Sequence, residues 1–305
     1  MAYNWVSIMG NITENKGIIK FAGGSSKDIN GLVQVNWGEY ICDQEYGGGR
    51  ITAQIEFKDS GQNSACGVML YYDSKQKSFA VAGLGMSQQL CSVNTWSGEK
   101  CTYHAGVGQA SQILPNRVYG LGVTARGSSV KIDLDGVEVI DATLPYSLPR
   151  GQAGIYFWGE KDILVSNYRV SAEPGIVFVV MQFTTIYNEL YDDVIVPVCK
   201  SLGLAPVRGD ETFGPGVIIA DIAQKIIEAK VVIADITPAN PNVYYEVGYA
   251  HALNKPTILV AEKDTKLPFD VSPYRVLFYE NSIGGKRKVE DGLIKHLKSI
   301  QATPV

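Results

Sequence analysis

Between Asp235 and Glu246 the chain carries two carboxylates and two carboxamides: Asp235, Asn240, Asn242 and Glu246. The run Val231-Val232-Ile233-Ala234 before them is short and apolar, as expected of a strand covered on both faces. Asp235 closes that strand where a polar loop begins. Asn240-Pro241 reads as a helix start, because Asn caps free backbone N–H groups and Pro suits the first helical position. Glu246 then falls in the second helical turn, and Asn242, Glu246 and Tyr249 share one face. Ligands of open α/β sheets bind beyond the carboxyl ends of the strands. Asp235, Asn242 and Glu246 are therefore expected to face one crevice. A carboxylate so placed can stabilise or trap a centre that becomes positively charged during reaction.

Two different rhythms must supply the elements around these residues. Residues 1–171 alternate apolar and polar side chains, with frequent glycines. Arg50–Phe57, Cys66–Tyr72, Ser78–Leu84, Arg117–Thr124, Ser129–Leu134, Val137–Ile140, Gly154–Trp158 and Ile163–Val170 read as strands. Asp135-Gly136 between two of them signals a hairpin. About ten short strands without a long helical pattern predict a β-sandwich. The rhythm changes at Ser171-Ala172-Glu173-Pro174-Gly175. Beyond it, strands at 176–182, 204–207, 231–235, 256–261 and 275–279 alternate with helices at 186–201, 216–229, 241–253 and 287–300. Such alternation predicts parallel strands with right-handed crossovers. Two domains are expected, 1–172 and 175–305, each with its own core.

With 305 residues, 46% hydrophobic and 19% charged, the chain reads as packed and soluble. A net charge of −4 gives no electrostatic case for nucleic acid or an anionic membrane. No apolar stretch reaches the length of a membrane span, and the first residues lack the pattern of a signal peptide. Five cysteines, an odd number without metal spacing, favour a reduced cytoplasmic protein; a Cys91–Cys101 bridge across a hairpin would need an oxidising setting. The three histidines are scattered, so no metal site is expected. With no Gly-x-Gly-x-x-Gly and no Walker motif, Rossmann-type hydride transfer is disfavoured.

Residues 176–300 resemble the nucleoside 2-deoxyribosyltransferase-like family, whose fold is related to that of TIR domains. The matching blocks are Ile176–Phe183, Gly203–Glu211, Val231–Leu253, Lys255–Val260, Leu267–Asp270 and Tyr274–Val276, in the family order. The most specific is Asn-Pro-Asn-Val-Tyr-Tyr-Glu-Val-Gly-Tyr-Ala-His-Ala, residues 240–252. The resemblance implies a flavodoxin-like α/β fold and makes Glu246 the catalytic acid in cleavage or transfer at an N-glycosidic bond. The substrate would be a nucleotide or nucleoside, with NAD one candidate and no cofactor needed. Asp235 would bind a ribose hydroxyl, orient Glu246, or cap the following loop. Asn240 stands where the transferases carry an aspartate, which leaves a cap role or ligand contact open. Asn242 would contact ligand. Gln182 and Phe183 follow the first strand where the family binds base or ribose; Phe183 either stacks on a base or packs in the core. Arg208 and Asp210 follow the second strand. Arg208 either pairs with a phosphate or is a plain surface arginine.

The first half is similar to concanavalin A-like jelly rolls, which include laminin G-like modules. The resemblance rests on Arg50–Phe57, the Val130–Ile140 hairpin and the closing segments 151–158 and 165–170. It implies a sensor, glycan-binding or assembly role, and the relation to TIR enzymes implies gating by homo-oligomer formation. Two rival readings stand beside the enzyme: a non-catalytic nucleotide-binding or signalling module, and a carbohydrate-binding protein.

Overall fold

The computed structural model describes residues 3–27, 31–209, 218–237, 239–269, 271 and 273–302. The chain divides into two compact units. One comprises Met1–Ala125, Ser129–Leu144 and Arg150–Glu173; the other comprises Arg126–Ser128, Pro145–Pro149 and Pro174–Val305.

The first unit is the antiparallel sandwich that the jelly-roll resemblance implies. One seven-stranded sheet runs in the order Trp5–Met9, Trp37–Tyr46, Gly151–Gly159, Ser64–Asp73, Ser78–Leu84, Cys91–Ser97, Lys100–Val107. The other runs Val137–Thr143, Ser129–Leu134, Val118–Arg126, Gly49–Phe57, Ile163–Ala172, Ile18–Phe21, Ile12–Asn15. Their inner faces meet where Phe21 stacks on Phe157, with centroids 5.2 Å apart. Along Gly49–Phe57 the inward Ile51, Ala53, Ile55 and Phe57 are buried while Arg50 and Gln54 are exposed, so the alternation in sequence is the alternation of faces. Asp135 (φ 52°) and Gly136 (φ 84°) both take the left-handed conformation of a tight hairpin turn, joining the paired Leu134 and Val137.

The two seven-stranded sheets hold more strands than the alternation alone predicted. Trp37–Tyr46, one of the strands not expected, is buried at most of its residues. A strand covered on both faces loses its period of two. Cys91 and Cys101 lie in neighbouring strands but not opposite each other: Cys91 pairs with Val107 and Cys101 with Trp96. That register keeps them apart, and all five cysteines are free thiols.

The second unit is an α/β fold. Its five-stranded sheet runs Leu204–Arg208, Gly175–Val180, Val231–Asp235, Thr257–Glu262, Val276–Tyr279, every pair parallel. Numbered along the chain this is 2-1-3-4-5, the flavodoxin-like order. Alternate residues of each strand feed two cores. Val177, Val179, Val231 and Ile233 pack with Ile195, Leu293 and Leu297; Phe178, Val180, Val232 and Ala234 pack with Ile226, Val243 and Val247. Both faces are covered by helices, which is why the strands read as unbroken apolar runs.

The helix from Thr185 to Ser201 passes through a π turn at Tyr191–Ile195. Pro197 follows, one residue beyond Val196. A proline inside a helix has no N–H for the preceding turn and crowds its carbonyl, so a widened turn there relieves it. Among the described residues no helix is long and apolar enough to cross a membrane.

Candidate active site

The strand order reverses between Gly175–Val180 and Val231–Asp235, and a crevice in such a sheet opens at the carboxyl ends there. Asp235 ends the central strand and is 1% exposed. The Thr237 backbone N–H donates to its Oδ1 at 3.0 Å, and the Tyr279 hydroxyl to its Oδ2 at 3.1 Å. Burial pushes this carboxyl up to about 7 despite both donors, and the Glu262 carboxylate adds to the rise. Tyr279 is raised by its own burial and then by Asp235. Tyr187 is raised by burial and then by Asp235 and Glu262. Asp235 thus sits in a patch with Tyr187, Glu262 and Tyr279. The Glu262 N–H donates to Thr237 Oγ1 at 2.7 Å, fastening the loop after the central strand to the next strand.

Glu246 is half-buried in the second turn of the Pro241–Ala252 helix. The buried Val243, Val247 and Ala250 beside it anchor that helix on the sheet. Among the described residues Glu246 has no hydrogen-bond or ion-pair partner, and burial alone pushes its carboxyl up to about 7. Among the described residues no hydrogen bond joins Asp235 to Glu246; the side-chain partners of Asp235 are Thr237 and Tyr279.

Asn240 has extended backbone (φ −124°, ψ 121°), and its side-chain oxygen accepts the Asn242 N–H at 2.9 Å. Of its two readings this is the geometry of a helix cap. Asn242 is exposed at the head of the same helix. Gln182 is half-buried, and Phe183, just past the first strand, is 50% exposed rather than a core aromatic. Arg208 is not a surface arginine: it is 9% exposed. Its guanidinium carbon lies 4.4 Å from the Tyr191 ring centroid and 5.4 Å from that of Phe183, and it donates to Asn188 Oδ1 at 2.9 Å. Cation–π contact on two rings holds it in the fold. Asp210 lies outside the described residues.

No protein-family model matches the chain, and no curated protein matches it. Solved structures do. The chain is similar to the carbohydrate-binding module CBM66 from Bacillus subtilis at 19% identity, over 54% of this chain and 92% of that one, with a TM-score of 0.44. It is similar to a β-glucanase of Bacillus licheniformis at 14% identity, over 54% and 89%, with a TM-score of 0.37. It is also similar to a CMP N-glycosidase of Clostridium botulinum at 16% identity, over 39% and 98%, with a TM-score of 0.32.

Sequence reasoning overlooked Tyr187, Asn188, Tyr191, Glu262 and Tyr279. One signal could have found two of them: Glu262 and Tyr279 are the last residues of their strands, as Asp235 is of its own. A cleft of about 640 Å³ opens at this edge, lined by Lys263, Thr265, Lys266, Tyr279, Ser282 and Lys288 among others. Tyr279 lines that cleft and also donates to Asp235.

Proposed function

We propose that the α/β unit cleaves or transfers an N-glycosidic bond of a nucleotide or nucleoside, with NAD among the candidate substrates, and that the sandwich regulates it. The supporting observation is Glu246, a half-buried carboxylate with no protein partner among the described residues, on the helix that follows the central strand. As the bond from C1′ to the base nitrogen breaks, its electron pair leaves with the base and C1′ becomes cationic. The ionised Glu246 stabilises C1′ or bonds to it. Water, or a second acceptor, then bonds to C1′ and passes a proton to the departed base, or to solvent where the base leaves neutral as nicotinamide does, and the carboxylate is restored. Asp235, held by Thr237 and Tyr279, suits a ribose hydroxyl. The exposed ring of Phe183 suits a base.

The test is product analysis of NAD, nucleotides and nucleosides incubated with the full chain at high protein concentration. Wild type is expected to release free base. Glu246→Gln is expected to retain the fold and bind the substrate while turning over at least about a thousandfold more slowly. Equal turnover by the two proteins would overturn the assignment.

A further inference from the structure

The first sheet of the sandwich is apolar on its outward face as well as its inward one. Phe157 points inward, onto Phe21, so its neighbours Tyr156 and Trp158 point outward. On that outward side lie the buried Ile41, Met69, Phe79 and Val81, with Tyr72, Trp96, Tyr156 and Trp158 packed against them. The rings form one cluster. Phe79 stacks on Trp96 at 5.1 Å, Trp96 meets Tyr156 at 5.2 Å, and Tyr72 lies 6.4 Å from Phe79. Beside the cluster is a cleft of about 250 Å³ lined by Trp96, Tyr156 and Trp158, with Ser87, Gln88 and Cys101 also bordering it.

A carboxylate lies on the same outward face, next to Tyr156 and outside the lining of that cleft. Glu39 is directly across the strand pair from Tyr156 and is 6% exposed. Among the described residues it has no hydrogen-bond or ion-pair partner; burial raises its carboxyl, and no cation offsets that rise. Its charge is felt by both Tyr72 and Tyr156. A buried carboxylate without a counter-charge is costly to the fold. The border of the cleft is also strained. Ser87 (φ 52°) and Gln88 (φ 59°) both hold left-handed backbone, which non-glycine residues rarely adopt. The fully buried Asn94 fixes that turn by donating to Ser87 Oγ at 2.6 Å.

We propose that this face binds an organic cation, a methylated ammonium group, seated on the Trp96, Tyr156 and Trp158 rings and paired with Glu39. Aromatic faces attract a weakly hydrated cation through their quadrupoles, most strongly where water is excluded. The ligand's cation supplies the charge opposite to Glu39 that no described residue supplies. A neutral sugar could also stack on these rings, but it would leave the Glu39 charge uncancelled. The group could arrive on a small molecule such as choline or on a methylated lysine side chain of a protein.

Tryptophan fluorescence and calorimetry on the full chain test this with choline, a trimethyl-lysine peptide, the uncharged isostere 3,3-dimethylbutanol, and a neutral glucan oligosaccharide. Saturable binding of choline or of the peptide supports the site, and which of the two binds names the source. The isostere is expected to bind at least about tenfold more weakly. Glu39→Gln, checked for folding by its melting curve, is expected to weaken cation binding about tenfold or more; Trp158→Leu provides an independent loss if that variant does not fold. No saturable binding of either cation overturns the proposal. So does equal binding of the isostere, or binding of the oligosaccharide alone.

Discussion

At the residue scale, Asp235 and Glu246 are both carboxyls that burial pushes up to about 7. Glu246 acts only when ionised, so turnover is expected to rise with pH and level off above about 7; a rate that is flat from pH 5 to 8 would remove it from the chemistry. Asp235 also affects stability. Its folded pKa of about 7 lies above the ordinary 3.8. The cost of burying it is therefore absent below about pH 4, grows as the unfolded chain ionises first, and levels off above pH 7, at a limit on the order of 4 kcal/mol. Asp235→Asn is expected to lack this loss of stability between pH 4 and 7 in urea titrations, and identical slopes for the two proteins would contradict it. Tyr279→Phe removes a donor that lowers the Asp235 carboxyl, and is expected to move its titration further up when followed by carbon-13 NMR. Asp235 and Glu246 stand out in the sequence because each is a charge set among apolar residues. Tyr279 does not, because a tyrosine at the end of an apolar strand looks like any other core edge.

At the element scale, the Pro241–Ala252 helix shows how local and site chemistry separate. Asn240 caps it through the Asn242 N–H. Asn240→Ala is expected to cost about 1 kcal/mol in chemical denaturation and Asn240→Asp close to nothing, because aspartate caps as well. A large loss from Asn240→Asp would show a role beyond the cap. The start of this helix was legible from Asn-Pro, since capping is a matter of neighbouring residues. The π turn at Tyr191–Ile195 was not. It depends on how Pro197 is accommodated while Val194 and Ile195 stay buried against the sheet. The left-handed turn at Asp135-Gly136 was legible, and Gly136→Val is expected to lower the melting temperature because a β-branched residue resists positive φ.

At the scale of the whole molecule, the second unit draws on two short segments from the first half of the chain, Arg126–Ser128 and Pro145–Pro149. Within that unit the Lys255 ammonium, 4% exposed, donates to the Ile227 and Ala229 carbonyls at 2.6 and 2.7 Å and to Ser147 Oγ at 3.1 Å. The Ser128 N–H donates to the Ile227 carbonyl at 3.0 Å. A fragment beginning at Gly175 lacks Ser128 and Ser147, and its α/β unit is expected to melt below the same unit in the full chain; equal melting by calorimetry would show that the two segments add nothing. The sequence by itself determined the alternating strands of the sandwich, the parallel α/β order beyond Pro174, the end of the central strand at Asp235, and the helix after it that carries Glu246. Each follows from periodicity, caps and turns, which act between near neighbours. Only the tertiary structure decided that Arg208 lies clamped between Phe183 and Tyr191, that Tyr279 holds Asp235, and that Glu39 is buried among aromatic rings without a cation among the described residues. Those contacts join residues far apart in the chain, and their burial comes from layers packing over one another, which no local pattern encodes.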